Sequence, residues 1–362
     1  MKVILVNATS LTSGGALSIL NQFILHSDDK FYHMLISSDA KINESAINHS
    51  KMKIWRVNPQ SSISRVFWDF YGLRCFAIKN SINYDTVVSL QNTTVRVGNK
   101  QQVVYLHQGI PLHSKKWSFF KSSERKYAFY KYIYPIFILM NRGENTKFVV
   151  QTEWMKKSLI EKFNIPKSNV YNIKPDFIRW ELGKYKVDRP KNDYFYLFYP
   201  ATGELFKNHS LILRALKCLY DMGHEMQNIR VIFTFNEGEY EHIDGFFLKN
   251  PEIKECVIFS GKLSYDDVLF YYENSDLILF PSEIESFGLP LLEAAYSGRK
   301  IISLPTEFSK EIICNYDGVE FIDGEPKVWA TKIRDCIRNS DTQYLSYTPI
   351  FKNNWNTFFQ LL

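Results

Sequence analysis

The sequence predicts an α/β protein built as two successive parallel sheets covered by helices. Three observations predict it. Short apolar runs of strand character alternate with helical patterns along the whole chain. The alternation lapses once, at Lys174-Pro175-Asp176 and the charged, irregular residues 184–193, and then restarts. The 362 residues, 45% hydrophobic and 23% charged, are enough for two globular cores of ordinary size.

In the first half, strands are predicted at residues 3–8, 33–37, 54–57, 86–90, 103–107 and 148–151. Helices are predicted at 16–26, whose Leu17, Leu20, Ile24 and Leu25 share roughly one face, and at 65–80. After the restart, strands are predicted at 194–200, 230–235, 257–261, 276–281, 300–304 and 319–322. Helices at 210–222, 266–274, 291–297 and 327–337 fill the gaps. This places a first domain at residues 1–173, a second at 174–343 and a terminal segment at 344–362. That segment carries Phe351, Trp355, Phe358 and Phe359 and must pack down.

Composition bounds the function. Cys75, Cys218, Cys256, Cys314 and Cys336 are odd in number and widely spaced, which predicts small core residues of a reducing compartment. The opening apolar stretch meets Asn7, Thr9 and Ser10 at once, too early for a signal-peptide core. The longest apolar run, residues 133–140, falls short of the ~20 residues that span a bilayer. A cytoplasmic protein, not integral to a membrane, is expected. The formal charge of +6 permits an anionic partner without identifying one. Motifs of zinc proteases, α/β hydrolases and P-loop enzymes are absent, as is any nucleic-acid-binding motif.

Four constellations carry chemistry. The richest is Pro281-Ser-Glu-Ile-Glu285-Ser286-Phe287-Gly288-Leu289-Pro290-Leu-Leu-Glu293, between a strand ending at Phe280 and a helix with Pro290 in its first turn. N–H groups near Ser286, Phe287, Gly288 and Leu289 at a helix start suit a phosphate. Glu285 and Glu293 suit a hydroxyl-rich ligand, because carboxylates accept hydrogen bonds from vicinal hydroxyls. Taken singly, either glutamate reads as structural rather than functional, since a Glu early in a helix complements its dipole. Secondly, Lys207 and Asn208 follow the first strand of the second half, where a lysine can neutralise a departing diphosphate. Thirdly, Gly14 and Gly15 lie in the loop after the first strand, and His107 closes the strand predicted at 103–107, a ligand position in such sheets. Fourthly, from Lys115 to Arg142 basic and aromatic residues interleave with Glu124 as the lone acid. That pattern fits an anionic membrane surface, or a buried helix pair with its lysines turned to water.

The spacing Glu285-x7-Glu293 around Phe287-Gly288 resembles the signature of retaining glycosyltransferase family 4. The resemblance implies a GT-B fold, two Rossmann-like domains facing a cleft, with the terminal helix crossing back to the N-terminal domain. It implies transfer of a sugar from a nucleoside diphosphate to a glycan acceptor, with retention, in synthesis of a bacterial surface polysaccharide such as O-antigen. Glu285 would bind the donor sugar, Lys207 and the loop N–H groups the diphosphate, and Glu293 the ribose. His107 would touch the sugar, and Gly14, Gly15 and Asn208 would complete the donor site. No cofactor is implied, and with no Asp-x-Asp no metal either. A polyprenyl-diphosphate-linked acceptor would bring the enzyme to the inner face of the inner membrane through the stretch from Lys115 to Arg142, with no nucleic acid as partner. One departure stands out: where many relatives place an arginine five residues before the lysine, this chain has Thr202. A sugar-nucleotide epimerase or glycan phosphorylase on the same fold, or a non-catalytic membrane-associated scaffold, are the alternatives.

Overall fold

Val3–Ala8 (β1) is almost wholly aliphatic, which suits a strand covered on both faces, and it is buried at the centre of a parallel sheet. The computed structural model describes residues 2–58, 62–188, 194–339, 344–349 and 355–362. It divides into two units, Met1–Asp176 with Phe351–Leu362, and Phe177–Ile350.

In the first unit β1 is joined by Phe31–Ile36 (β2), Met52–Arg56 (β3), Thr86–Ser89 (β4), Gln101–Leu106 (β5), Thr146–Val150 (β6) and Val170–Asn172 (β7). Among the described residues the order is β3-β2-β1-β4-β5-β6-β7, all parallel. The order reverses between β1 and β4, the switch point where open α/β sheets bind ligands beyond the strands' carboxyl ends. The helix predicted at 65–80 is present within a helical stretch from Ser62 to Lys79, but a π-turn at Trp68–Gly72 widens it. A second π-turn, Phe129–Ile133, interrupts the helical stretch from Ser122 to Leu139. Hydrophobic periodicity predicts neither turn.

The terminal helix Trp355–Gln360 belongs to this first unit. Trp355, Phe358 and Phe359 are buried with Phe23, Tyr32 and Tyr105 in one core, and Trp355 stacks on Tyr105 with centroids 5.8 Å apart. Three buried aromatic side chains of this size anchor the segment by roughly 1.5–3 kcal/mol each. Phe351, grouped with them from the sequence, lies outside the described residues.

The second unit repeats the plan with Phe195–Tyr199 (β8), Ile229–Phe233 (β9), Val257–Phe259 (β10), Leu277–Phe280 (β11), Lys300–Ser303 (β12) and Val319–Phe321 (β13). The order among the described residues is β10-β9-β8-β11-β12-β13, and its switch point lies between β8 and β11. Part of the irregular stretch before β8 is tied to this unit. The buried Glu273 carboxylate accepts from Trp180 Nε1 (2.8 Å), Gly183 N (3.1 Å) and Tyr185 N (2.8 Å). Residues 189–193 lie outside the described set. The sequence reading missed the helix Glu153–Phe163 and strand β7, and it carried its fifth strand one residue too far, since β5 stops at Leu106.

Candidate functional site

Lys207 and Glu285 stand 78 positions apart, yet the chain brings them together because β8 and β11 are neighbours. Beyond β8 the chain passes Gly203, where a Cβ would lie 2.4 Å from the Tyr240 ring, so only glycine fits. A short 3-10 turn, Leu205–Lys207, follows, and Asn208 in the left-handed region (φ +58°) leads into the helix His209–Asp221. Beyond β11 the loop is stitched to that turn, since Glu283 N donates to the Phe206 carbonyl at 2.8 Å.

Within this corner Lys207 Nζ donates to Glu285 Oε1 at 2.5 Å, and Ser282 Oγ donates to the same oxygen at 2.8 Å. The lysine and glutamate side chains are 17% and 13% exposed. The pair is thus mostly out of water, where removing one partner leaves a poorly solvated charge. The Tyr199 hydroxyl donates to the Lys207 carbonyl at 2.9 Å and fixes the backbone behind the ammonium. An ammonium has three donors, so Lys207 can hold Glu285 and still donate to an incoming anion. The sequence singles out Lys207 and Glu285 separately, not as a pair, and gives no sign of Ser282 or Tyr199, which have no special spacing.

His209, also missed, is fully buried among Tyr199, Phe233 and Phe235, and neither ring nitrogen has a partner among the described residues. Burial, with His242 and Lys207 adding repulsion, holds its pKa well below the usual value. The ring is a neutral packing element at the base of the Lys207 corner.

The loop from Pro281 ends at Gly288, whose φ of +99° demands glycine, and the helix Leu289–Tyr296 begins there. Phe287 is 2% exposed, so its side chain is core and only its backbone can face a ligand. Ser286 and Leu289 are half-buried. Glu293, one turn into the helix, is held from the helix Tyr265–Asn274. The Tyr265 hydroxyl donates to Oε1 at 3.2 Å and the Tyr272 hydroxyl lies 3.3 Å from Oε2. Tyr272 also bonds the Pro290 carbonyl at 2.8 Å, and its single proton cannot serve both acceptors fully. Burial pushes the Glu293 carboxyl up to about 7, with the two tyrosines pulling it back. Tyr265 and Tyr272 sit seven apart on one helix face; the spacing was readable, the partner was not.

Gly14, Gly15 and His107 belong to the first unit. Gly14, φ +58°, opens the helix Gly14–Leu25; both glycines are exposed, with open space where a Cβ would point. His107 is the residue after β5, not its last residue as predicted, because the ladder ends with Leu106 against Val150. Its backbone N–H donates to Asn92 Oδ1 at 2.6 Å and its ring Nε2 to the Leu90 carbonyl at 2.9 Å. That bond places the proton on Nε2, and burial lowers the ring's pKa. His107 is therefore a neutral imidazole.

The basic-aromatic stretch from Lys115 to Arg142 divides by face. Lys115 lies over the Trp117 ring and Lys131 turns inward to the Pro111 and His113 carbonyls. Lys116, Lys121, Arg125 and Lys126 are exposed. So are Phe119, Phe120, Phe129, Tyr132, Ile133 and Ile136, with Phe120 at 96%. No helix among the described residues is long and apolar enough to cross a membrane.

Two open parallel sheets define the class: this is a GT-B protein, with its polar residues gathered beyond the strands at the second sheet's switch point. Residues 184–346, most of the second unit, match the family described as glycosyl transferases group 1. The chain is similar to the O-antigen chain mannosyltransferase RfbU of Salmonella typhimurium, 23% identical over 67% of this chain and 66% of that protein. The alignment therefore spans just under two thirds of that relative's length. Anabaena Alr3699/HepE, solved with UDP-glucose, superposes with TM-score 0.63 at 14% identity, over 94% of this chain and 90% of that one. WaaG, a glycosyltransferase involved in lipopolysaccharide biosynthesis, superposes with TM-score 0.68 at 13% identity, over 93% and 90%.

Proposed function

We propose that the chain moves a sugar from a nucleoside diphosphate to a glycan acceptor, with retention at the anomeric carbon, in assembly of a bacterial surface polysaccharide. The carrying observation is the Lys207–Glu285–Ser282 corner beside a helix start that opens at Gly288. The RfbU, HepE and WaaG likenesses support a sugar nucleotide donor and a surface-glycan product. In this reading Lys207 and the N–H groups around Gly288 hold the diphosphate. Glu285 accepts from donor-sugar hydroxyls, and Glu293, kept in place by Tyr265 and Tyr272, accepts from the ribose. Asn208 sets the backbone corner behind Lys207, while Gly14, Gly15 and His107 serve the donor from the first unit.

In the transfer, the acceptor oxygen forms a bond to the anomeric carbon as the bond to the leaving diphosphate breaks. The acceptor proton passes to a leaving phosphate oxygen, so no protein base is required and none is assigned. Lys207 stabilises charge that grows on that oxygen in the transition state. The reaction needs no metal in this scheme.

The acceptor is lipid-linked in this reading, and the enzyme works at the cytoplasmic face of the inner membrane. Phe129, Tyr132, Ile133 and Ile136 recur at three- and four-residue spacing, exposed, beside four exposed cations. Rings at headgroup level and cations over phosphates suit an anionic bilayer. A thermal-shift panel of UDP-, GDP-, ADP- and dTDP-sugars, followed by product analysis with and without acceptor, tests the whole reading. A donor must raise the melting temperature. Conversion of the donor without acceptor would make the protein an epimerase instead.

A further inference from the structure

At the switch point of the first sheet lies a buried polar cluster that the reaction scheme does not use. Asp69, 7% exposed, accepts at Oδ1 from Asn7 Nδ2 (3.1 Å) and Gln91 Nε2 (3.0 Å), and at Oδ2 from Thr93 Oγ1 (2.6 Å). Asn7 comes from β1, and Gln91 and Thr93 from the segment after β4. The π-turn Trp68–Gly72 brings Asp69 to them, and Trp68 Nε1 donates to Asn7 Oδ1 at 3.1 Å. π-Turns within helices recur where a side chain must be re-aimed for function.

The cluster reaches both first-unit elements assigned to the donor. Gln91 Oε1 accepts from Thr9 Oγ1 and Ser10 Oγ, each at 3.1 Å, on the loop that runs into Gly14 and Gly15. Asn92, forced left-handed at φ +69°, holds the His107 backbone at 2.6 Å. Residues 91–93 are thus a bridge with one carboxylate at its centre. A purely structural network would do as well with an amide there. Here every side-chain partner donates, and two of the three are amide nitrogens, which cannot accept. An ionised carboxylate accepts all three at once; a protonated one keeps the two amide contacts at Oδ1 but must reverse the Thr93 contact.

We propose that Asp69 is a positioning residue, whose carboxylate holds the Gly14-Gly15 loop and His107 in the geometry that transfer requires. This rests on the reading that those two elements serve the donor. A proton on Asp69 would have to be donated, and among the three partners only Thr93 Oγ1 can receive it, by turning its own hydrogen away. Protonation therefore reverses the Thr93 contact and loosens that end of the bridge. Burial lifts the Asp69 carboxyl to about 6, with Thr93, Asn7 and Gln91 opposing it. Tyr134 is the titratable group that interacts with it, its hydroxyl 3.4 Å from the Gln91 carbonyl, and Arg65 acts on Tyr134 in turn. The Arg96 backbone N–H donates to the Asp69 carbonyl at 2.9 Å while its guanidinium lies over Tyr71. His107, tied to the bridge through Asn92, has its own pKa lowered by burial. The acid limb of kcat should accordingly fall as pH drops through about 6.

The test is Asp69→Asn in the full chain, assayed for transfer between pH 5 and 8 with the donor found for the wild type. An amide keeps an oxygen for Asn7 and Gln91 but turns an N–H toward Thr93, which must then accept and redirect its own hydrogen. The kcat is expected to drop about ten- to a hundredfold, the scale of a displaced catalytic element. Donor KM should change less than threefold, since the donor's main contacts lie in the second unit, and the limb near pH 6 should vanish. Thr93→Val keeps the carboxylate with one donor fewer, so it should keep the limb but move it to higher pH; it serves also if Asp69→Asn does not fold. Wild-type kcat in Asp69→Asn, or an unchanged limb in either variant, overturns the proposal while leaving the transferase reading intact. A wild type that transfers no sugar from any donor overturns both.

Discussion

Replacing Glu293 by glutamine should stabilise the protein at high pH and do nothing for it at low pH. The wild-type carboxyl is lifted from 4.5 to about 7 because its ionised form is poorly solvated beside Tyr265 and Tyr272. The folded state therefore binds the proton more tightly than the unfolded chain does. Below pH 4.5 both states are protonated and nothing is lost. As pH rises toward 7 the unfolded chain ionises freely while the folded one resists, so stability falls, and above 7 the full loss is present. A shift of this size is worth at most about 3 kcal/mol at ~1.4 kcal/mol per unit. Glutamine cannot ionise and keeps a carbonyl oxygen for the tyrosines, but its amide N–H groups need partners, at about 1 kcal/mol. The net gain at pH 8.5 is then about 1–2 kcal/mol, or roughly 2–8 °C in Tm. Circular dichroism melts of both proteins at pH 5 and 8.5 measure it, because other titrating groups cancel in the difference between variant and wild type. The donor KM should rise in parallel, since the ribose hydroxyls lose an ionised acceptor. A variant-minus-wild-type Tm that does not grow between pH 5 and 8.5 would refute the burial argument.

Glu285→Gln and Lys207→Met should each lower kcat by about ten- to a thousandfold, as losing one transition-state contact does. Each leaves a mostly buried charge unpaired, so each should also lower Tm, whereas the double variant should recover Tm but not activity; a double variant less stable than both singles refutes the pairing. Transfer should persist in excess EDTA, and complete loss restored by Mg²⁺ or Mn²⁺ would show that Lys207 and the loop N–H groups do not suffice. Changing Lys116, Lys121, Arg125 and Lys126 to Glu should abolish sedimentation with anionic liposomes, each cation being worth roughly 1 kcal/mol at the surface, while sparing transfer to a short soluble acceptor. Binding by that variant as strong as the wild type's would assign the exposed rings another role.

What was legible in the sequence follows from where each signal is stored. Buried parallel strands are apolar along their whole length, so β1, β4, β8, β11 and β12 announced themselves, and the restart after Asp176 marked two sheets. β7 did not, since Val170–Asn172 is three residues long and only Val170 is fully buried. Lys207, Glu285, Glu293 and Gly288 were singled out because residues that bear charge or a required positive φ are costly to place without a use. Their supports were not. Ser282, Tyr199, Tyr265 and Tyr272 are ordinary residues whose meaning lies in a partner that only the β8–β11 pairing or helix packing supplies.

Asp69 was invisible for a further reason. A helix of regular pitch over 65–80 leaves its aim unspecified, and the extra residue of the π-turn at Trp68–Gly72 sets it. The same turn crowds Gly72, where a Cβ would lie 2.7 Å from the Trp68 ring. A glycine inside a helical stretch is thus the one sequence trace of the widened turn. Gly72→Ala should push the Trp68 ring and its bond to Asn7 aside, and so should weaken transfer and shift the acid limb as Asp69→Asn does. Retention of both the wild-type limb and kcat in Gly72→Ala would separate the π-turn from the carboxylate's role.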